Sequence, residues 1–342
     1  MRGGPVRGFW VRCMEEKNKR QDKVVAITVT YNRTRTLERC LSALESQSRP
    51  VDKIIIVDNN SSEEEKLRLR ELVSGKQQVE VLWLPENAGG AGGFEAGMRE
   101  ARSMDPDWYW LMDDDAYPRE DCLIRLLEAE GDLEKVGFLA PLIFGVDFQE
   151  YQLFHHKFLK GLSLKTVPVA SDYVHLSTVT KIDANAFVGP LIAKKAVDLV
   201  GIADGSLFIY GDDTEYTYRI TRKLNGYVIK NAVIEHQDQP ITLNYISPSV
   251  WWKEYYNYRN QIFMLRKFYR WSVVRVCAYI TMMLHIFKLV LAAIIKPKYK
   301  RFHILRAHLL IKALVDGLCD NRGKTIDPVV FAGVVKRKET SR

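Results

Sequence analysis

Short apolar runs alternate with amphipathic stretches along the first third of the chain. Four runs rich in β-branched or aromatic residues predict buried strands, at 24–30, 53–57, 79–83 and 108–112. Apolar residues at helical spacing, or helix-start signals, predict helices between them, near 34–48, from Ser61 and over 91–102. Strands that alternate with helices indicate an α/β domain with a mostly parallel, Rossmann-like sheet and helices on both of its faces.

Polar residues follow every one of these predicted strands. They are Tyr31 and Asn32, then Asp58, then Asn87 with its glycines, and finally Asp113, Asp114 and Asp115. Ligands of open α/β sheets bind beyond the carboxyl ends of the strands. These four positions are therefore the first candidates for a binding site.

Two familiar nucleotide motifs fail on inspection. The glycine-rich run at 88–93 contains no G-x-G-x-x-G, because Glu95 stands where the last glycine is required. Gly323-Lys324-Thr325 resembles the end of a P-loop, but Leu318 replaces its first glycine. The sequence therefore disfavours a dehydrogenase and a P-loop enzyme.

Composition and charge further narrow the class of protein, the region that carries its basic charge and its cellular compartment. The 342 residues are 47% hydrophobic and 27% charged, which is typical of a folded globular protein. The net charge is +8, yet twelve Lys and Arg and no Asp or Glu lie within 255–315, so the basicity belongs to one block. Five cysteines without C-x-x-C spacing favour a reducing compartment over a zinc site. Residues 1–22 are polar and basic, without the apolar core of a signal peptide, and we expect them to be flexible.

Three acidic or histidine-containing segments are candidates for chemistry. Asp113 and Asp115 alternate after an apolar strand and can share a hard divalent cation, whereas a solvated acidic turn is the alternative. Asp212 and Asp213 follow another apolar run, where one can serve as a general base or simply cap a helix. His236 ends a further apolar run and is either a third metal ligand or an ordinary core histidine.

The stretch 271–295 is long and apolar enough to suggest a membrane span, but Arg275 and Lys288 interrupt it. In a single helix over 259–288, most of the basic residues fall on one side. This predicts a helix that lies in the interface of an anionic membrane. A packed helical extension that forms a homo-oligomer stays open. Nucleic-acid binding is disfavoured because no RNA- or DNA-binding motif accompanies the basic residues.

Taken in order, these segments resemble a known family. The motifs are VTYNR, IIIVDNNS, NAGGAGGF, WLMDDDA, FVGPLI, IYGDDTEYTYR, EH and YYNYRN, which together span roughly residues 24–268. They resemble inverting GT-A glycosyltransferases of family 2. The branch most similar is that of the galactofuranosyltransferases, with rhamnosyltransferases as close relatives. In the galactan-polymerising members Trp precedes the acidic pair, whereas Tyr210 and Gly211 precede it here.

The resemblance implies a role for each matching residue. It implies Asp213 as the catalytic base, and Asp113, Asp115 and His236 as ligands of Mn²⁺ or Mg²⁺. Donor-binding residues implied by the match are Thr30, Tyr31, Asn32, Asp58, Asn87 and Asp114. Acceptor-side residues implied by it are Phe187, Val188, Gly189 and Asp212.

The resemblance also implies an activity and a location. The expected reaction is metal-dependent, inverting transfer of galactofuranose from UDP-galactofuranose to a glycan carried by a polyprenyl diphosphate, at the cytoplasmic face of the membrane. A rhamnosyltransferase that uses dTDP-rhamnose is the first alternative, and a non-catalytic membrane-docking scaffold is the second. The expected organisation is a flexible N-terminus (1–22), a GT-A catalytic domain (23–250) and a basic, apolar helical region that associates with membranes (251–342).

Overall fold

The computed structural model describes residues 22–146, 150–160, 165–237, 248–269, 272–295 and 300–340. Nearly all of the N-terminal segment expected to be flexible lies outside these residues. So does most of the basic cluster expected at 296–301.

Twelve strands lie within the described ranges. They are β1 (Val24–Thr30), β2 (Lys53–Asp58), β3 (Val79–Trp83), β4 (Trp108–Asp113), β5 (Ala116–Pro118), β6 (Val136–Gly145), β7 (His156–Lys160), β8 (Lys165–Pro168), β9 (Val179–Ile182), β10 (Ala184–Asn185), β11 (Leu191–Ala193) and β12 (Asn225–His236). All four strands predicted from apolar runs are present.

Nine of these strands form one mixed sheet. Its order is β3-β2-β1-β4-β11-β6-β12-β5, and β9 also pairs with β12. Strands β1 to β4 are parallel to one another, whereas β11 is antiparallel to both β4 and β6. A second, antiparallel sheet of β10, β7 and β8 lies beside this one. The mostly parallel α/β architecture that the sequence predicts is confirmed.

Ten α-helices accompany the strands in the described residues. They are α1 (Thr34–Glu45), α2 (Glu63–Val73), α3 (Gly89–Ser103), α4 (Cys122–Glu130), α5 (Lys194–Val200), α6 (Asp212–Thr221), α7 (Trp251–Phe268), α8 (Ser272–Ile295), α9 (Lys300–Cys319) and α10 (Pro328–Thr340). Two apolar clusters fill the space above and below the sheet. Alternate residues of β1 divide between them, with Ala26 in one and Ile27 in the other. Helices therefore cover both faces.

The structure changes two expectations about helices. The helix predicted over 91–102 begins at Gly89, so the glycine-rich run forms its first turns, and the small residues there let α3 lie close to β1. A Cβ at Gly93 would meet the Val29 side chain at 2.4 Å. Residues 259–288 are not one helix but belong to α7 and α8. Arg259, expected on the basic side, is fully buried instead.

Candidate active site

Three potential metal ligands meet at one edge of the central sheet. Asp113 ends β4 and His236 ends β12, while β5 pairs antiparallel with β12 so that Ala116 lies opposite His236. This pairing brings Asp115, the residue before Ala116, to His236, where Asp115 Oδ1 lies 3.2 Å from His236 Nε2. One donor atom from each of Asp113, Asp115 and His236 lies within 4.8 Å of the others.

Asp114 points away from this cluster and is held by the first loop. Its Oδ2 accepts a hydrogen bond from the Thr30 hydroxyl at 2.7 Å, and its Oδ1 forms an ion pair with Arg33 at 3.1 Å. Arg33 also pairs with Asp115. Thr30 and Asp114 are both buried, and the hydrogen bond between them helps to hold the acidic segment in place.

The cluster carries more negative charge than its surroundings balance. Burial, followed by the neighbouring Asp115, raises the pKa of Asp113 well above its usual range. Burial also raises the pKa of Asp114 to about 7, against the opposing effect of Arg33. Burial acts in the same direction on Asp115, but its contacts with His236 and Arg33 prevail and hold the pKa of Asp115 below its usual range.

These residues fit a divalent cation. Two carboxylates and an imidazole are ligands that manganese accepts, and their mutual separation is that of groups around one ion. A cation there offsets the repulsion that otherwise raises the pKa of Asp113. The arrangement supports the cation-site interpretation of the acidic triplet over that of a solvated turn.

The donor-side residues lie at the ends of β1 and β2. Asp58 is buried; its Oδ2 accepts the backbone N–H of Ser61 at 3.1 Å, whereas its Oδ1 has no hydrogen-bond partner in the described part of the chain. An unpartnered buried carboxylate oxygen is costly unless a ligand satisfies it.

The loop after β1 is held by Asn32. This residue adopts a left-handed backbone conformation, and its side chain accepts the backbone N–H of Ser62. Tyr31 beside it is exposed.

Asn87 and the glycines that follow it also stabilise the local backbone and allow close packing. The Asn87 carboxamide oxygen accepts the backbone N–H of Gly89, which has a φ of +73° and lies against Phe208 so closely that a Cβ would meet its carbonyl oxygen at 2.0 Å. Gly90, in contrast, borders the cavity described below. Within the glycine run, Gly89 thus permits close packing against Phe208, whereas Gly90 borders the cavity.

The second acidic pair begins α6. The Asp213 Oδ1 accepts the backbone N–H and the hydroxyl of Thr214, and its Oδ2 lies 3.4 Å from the Lys157 ammonium. Lys157 also donates to the Thr214 hydroxyl at 2.8 Å. Asp212 is more deeply buried, and burial with Asp213 alongside raises the pKa of Asp212 to about 7. Asp213 is thus the carboxylate with a cationic neighbour, and Asp212 is the one that favours a proton.

A strained loop carries this pair and is held by α7. Phe208, Tyr210 and Gly211 all have positive φ. The Asn260 side-chain amide donates to the carbonyls of Leu207, Ile209 and Tyr210 at 2.7 to 3.0 Å.

The neighbouring Arg259 reinforces the same loop. Its buried guanidinium donates to the carbonyl of Leu207 and to that of Gly323, which precedes α10. These bonds explain why Arg259 is buried rather than exposed on a basic face.

One cavity of about 1110 Å³ joins these parts. Its wall includes Asp113 and His236 on one side and Asp212, Asp213 and Lys157 on another. Of the predicted acceptor-side residues, Phe187 and Val188 line it. Gly189 does not; its carbonyl accepts the Trp110 indole N–H, and a Cβ there would meet Ile234 at 2.2 Å. The cavity extends along α7 to Tyr279, Thr281 and His285 of α8.

Sequence reasoning missed three contributors to this site. Arg33 lies within the VTYNR motif, but its contact with two acids depends on how β1 and β4 pair. Lys157 comes from the second sheet and has no motif around it. Asn260 belongs to the YYNYRN motif that was noted, although nothing in the pattern indicates which carbonyls it binds.

Comparison with known families and proteins agrees with this geometry. Residues 25–174 match the model of the family described as glycosyl transferase family 2. Over 208 residues the chain is 33% identical to galactofuranosyltransferase GlfT1 of Mycolicibacterium smegmatis, a match that covers 58% of this chain. It spans 65% of that relative's length, which is less than two thirds. The chain is also 23% identical over 300 residues to dTDP-rhamnosyl transferase RfbF of Shigella flexneri, covering 86% of this chain and 97% of that protein.

Solved structures share the fold. GalNAc-T7 with UDP, GalNAc and Mn²⁺ superposes with a TM-score of 0.55 at 15% identity, covering 73% of this chain and 48% of that one. The mannosyltransferase PcManGT of Pyrobaculum calidifontis, in complex with GDP-Man and Mn²⁺, gives 0.50 at 15% identity over 92% and 95% of the two chains. Residues 25–174 are thus similar to glycosyl transferase family 2, and the fold of the chain is that of the GT-A glycosyltransferases.

Proposed function

We propose that this chain is a metal-dependent, inverting glycosyltransferase that moves galactofuranose from UDP-galactofuranose to a lipid-linked glycan. The observation that carries the proposal is the cavity shared by Asp113, His236 and Asp213. Identity of 33% to a galactofuranosyltransferase favours this donor. The match to a dTDP-rhamnosyl transferase over most of the chain makes dTDP-rhamnose the second candidate.

Each part of the reaction has a residue of suited chemistry. Asp113, Asp115 and His236 would hold the cation, which neutralises the charge of the departing nucleoside diphosphate. The free oxygen of Asp58 is suited to accept the N3–H of uracil or thymine, so this contact does not separate the two donors. Asp213 then takes the proton from the acceptor hydroxyl as that oxygen attacks the anomeric carbon, and a single displacement inverts it.

Lys157 helps to orient Asp213, the proposed base. Its ammonium lies 3.4 Å from Asp213 Oδ2 and donates to the adjacent Thr214 hydroxyl. Burial raises the pKa of Asp212 to about 7, so this carboxyl is only partly ionised at neutral pH and is better suited to contact the acceptor.

We further propose that α8 places the enzyme on an anionic membrane surface. Among the α8 side chains that the structure describes, nine large apolar ones are exposed, and at 100° per residue they fall within an arc of about 140°. They are Val273, Val276, Ile280, Met283, Leu284, Phe287, Val290, Leu291 and Ile295. By length and composition, 275–292 is the one helical window in the described residues that suffices to cross a membrane.

An interfacial position suits α8 better than a spanning one. Helix α9 follows after four residues and packs against both α8 and α7, so α8 stays beside the catalytic domain. The cavity also reaches Tyr279 and His285 of α8, which gives a lipid-linked acceptor a path to Asp213. We assign the cytoplasmic face, since the four cysteines in the described ranges are free thiols.

The donor is tested with purified protein, Mn²⁺ and a synthetic lipid-linked disaccharide. UDP-galactofuranose and dTDP-rhamnose are offered side by side, with and without EDTA. Transfer from the first donor alone, lost on chelation, is the expected result. Transfer from the second alone moves the enzyme to the rhamnosyl branch, and no transfer from either, with EDTA without effect, favours a non-catalytic scaffold.

A further inference from the structure

We infer that Gln152 is a positioning residue for the metal site, which it serves by fixing the tautomer and the ring orientation of His236. This inference rests on the proposed function only in taking Asp113, Asp115 and His236 as cation ligands. Gln152 itself contributes no ligand to the cation site. It precedes β7, and its backbone N–H donates to the carbonyl of Ile143 in β6, the strand that pairs with β12.

The orientation of the Gln152 amide follows from one contact. Its Nε2 lies 3.2 Å from the backbone carbonyl oxygen of His236, which can only accept a hydrogen bond. The amino group must therefore face that carbonyl. The amide oxygen, Oε1, then faces two imidazoles and lies 3.0 Å from His236 Nδ1 and 2.8 Å from His155 Nε2.

The amide oxygen determines which ring nitrogens carry protons. It has lone pairs and no hydrogen, so both nitrogens that face it must be N–H donors. His236 is thereby held with its proton on Nδ1, which leaves the Nε2 lone pair directed at the site it shares with Asp113 and Asp115. That is the tautomer a metal ligand requires, and metal-bound imidazoles commonly gain it from such a second partner.

His155 closes the arrangement from the other side. Its ring meets that of His236 edge-on, with centroids 5.1 Å apart and an angle of 88° between the planes. His155 gives its Nε2–H to Gln152 Oε1, so the imidazoles of His155 and His236 share one acceptor.

The test compares three variants by their affinity for Mn²⁺, measured by isothermal titration without donor or acceptor. Gln152→Met keeps the length of the side chain but removes both hydrogen-bonding groups, and we expect it to weaken Mn²⁺ binding about 10- to 100-fold. Gln152→Glu keeps an acceptor for both imidazoles but sets its second oxygen against the carbonyl of His236, so we expect a loss that is smaller than in Gln152→Met. Gln77→Met, an exposed glutamine between α2 and β3, is the matched control.

Two outcomes overturn the inference while leaving the metal site intact. One is wild-type affinity in Gln152→Met, and the other is equal loss in Gln152→Met and Gln152→Glu. If wild-type protein itself binds no Mn²⁺, the proposed metal site fails and this inference fails with it. Long-range ¹H–¹⁵N spectra of the wild-type imidazoles provide a reading that does not depend on the variants folding. We expect His236 to be protonated on Nδ1 in the Mg²⁺-loaded protein, and a proton on Nε2 alone contradicts the assignment.

Discussion

At the scale of single residues, the site is defined by carboxylates that differ in their burial and in their partners. Asp115 lies between Arg33 and His236, and Asp213 has Lys157 beside it. Asp58 accepts a backbone N–H on one oxygen and has no partner for the other among the described residues, whereas Asp212 has a second acid beside it. Their types and order were readable from the sequence. Their partners were not, because each partner comes from a distant part of the chain.

Asp58→Asn should weaken the binding of UDP about tenfold or more. The amide oxygen must take over the bond from the Ser61 N–H, which leaves the amino group where the free carboxylate oxygen was. A donor there faces the N3–H of the base, and an unmatched pair of donors costs about 1–3 kcal/mol. Titration calorimetry with UDP and Mn²⁺ measures the change, with exposed Asp132→Asn as control. Equal affinity for UDP in the two variants would rule out the contact.

Asp212→Asn should raise the melting temperature most at alkaline pH. The folded-state pKa of Asp212 is raised to about 7, whereas the unfolded value is near 4. The unfolded chain therefore releases this proton at lower pH than the folded protein does. As a result, the free energy of unfolding falls as pH rises from about 4 to about 7. Asparagine avoids this loss of stability. Melting curves at pH 5 and pH 8 should show the larger gain at pH 8. A gain that shrinks between pH 5 and pH 8 would contradict the assigned direction.

At the scale of elements, the parallel strands were predictable and the short antiparallel ones were not. Strands β1, β2 and β4 are buried on both faces, so they read as continuous apolar runs. Strands β5 and β11 have three residues each, too few for any period to be detected. Yet the pairing of β5 with β12 is what brings Asp115 to His236, so the sequence pattern left His236 open between a metal ligand and a core histidine, and the family resemblance favoured the ligand.

Helix α7 shows a different limit of sequence reasoning. Arg259 looked like part of a basic surface, because periodicity reports which residues share a side but not what lies against that side. Arg259 is buried against backbone carbonyls, and Asn260 holds the loop before the second acidic pair. The YYNYRN motif can be recognised in the sequence, but the contacts of its Arg259 and Asn260 depend on tertiary packing.

Asn260→Ala should lower kcat about 10- to 100-fold with little change in the KM for the donor. Removing the amide takes one hydrogen-bond donor away from three loop carbonyls, of which that of Leu207 keeps its bond from Arg259. A loop with three positive-φ residues can then relax and displace Asp213. The metal ligands and Asp58 lie on other elements and stay in place. Steady-state kinetics, with a melting curve and exposed Asn231→Ala as control, measure the effect. An unchanged kcat in a folded variant would show that the loop holds its shape without Asn260.

At the scale of the whole molecule, an acidic catalytic edge and an apolar helix open onto one cavity. Buried Glu254 forms a bidentate ion pair with Arg306, which links α7 to α9. Helix α9 in turn packs against α8. The α8 surface that we propose for membrane contact is thereby fixed relative to Asp213. This coupling suits an acceptor whose lipid stays in a membrane while its glycan end reacts.

Charge placed on the exposed arc of α8 should abolish membrane binding without reducing the stability of the fold. Wild-type protein should float with vesicles that contain phosphatidylglycerol, and Ile280→Glu with Phe287→Glu should lower that binding roughly tenfold or more, because both exposed side chains then carry charge into the apolar interface. Leu67→Glu, at an exposed leucine of α2, is the matched control. Equal flotation of the double variant and the control would refute the α8 surface, and a dimer lost in the double variant would favour a homo-oligomer interface instead.

The central claim is that Asp213 deprotonates an acceptor opposite a metal-bound sugar nucleotide. The most direct measurement is the rate of Mn²⁺-dependent transfer from UDP-galactofuranose to a lipid-linked glycan in wild type and Asp213→Asn, with UDP affinity determined for both. We predict that the substitution slows transfer by roughly 10²- to 10⁴-fold while the Kd for UDP stays unchanged. Wild-type turnover in Asp213→Asn would contradict the claim.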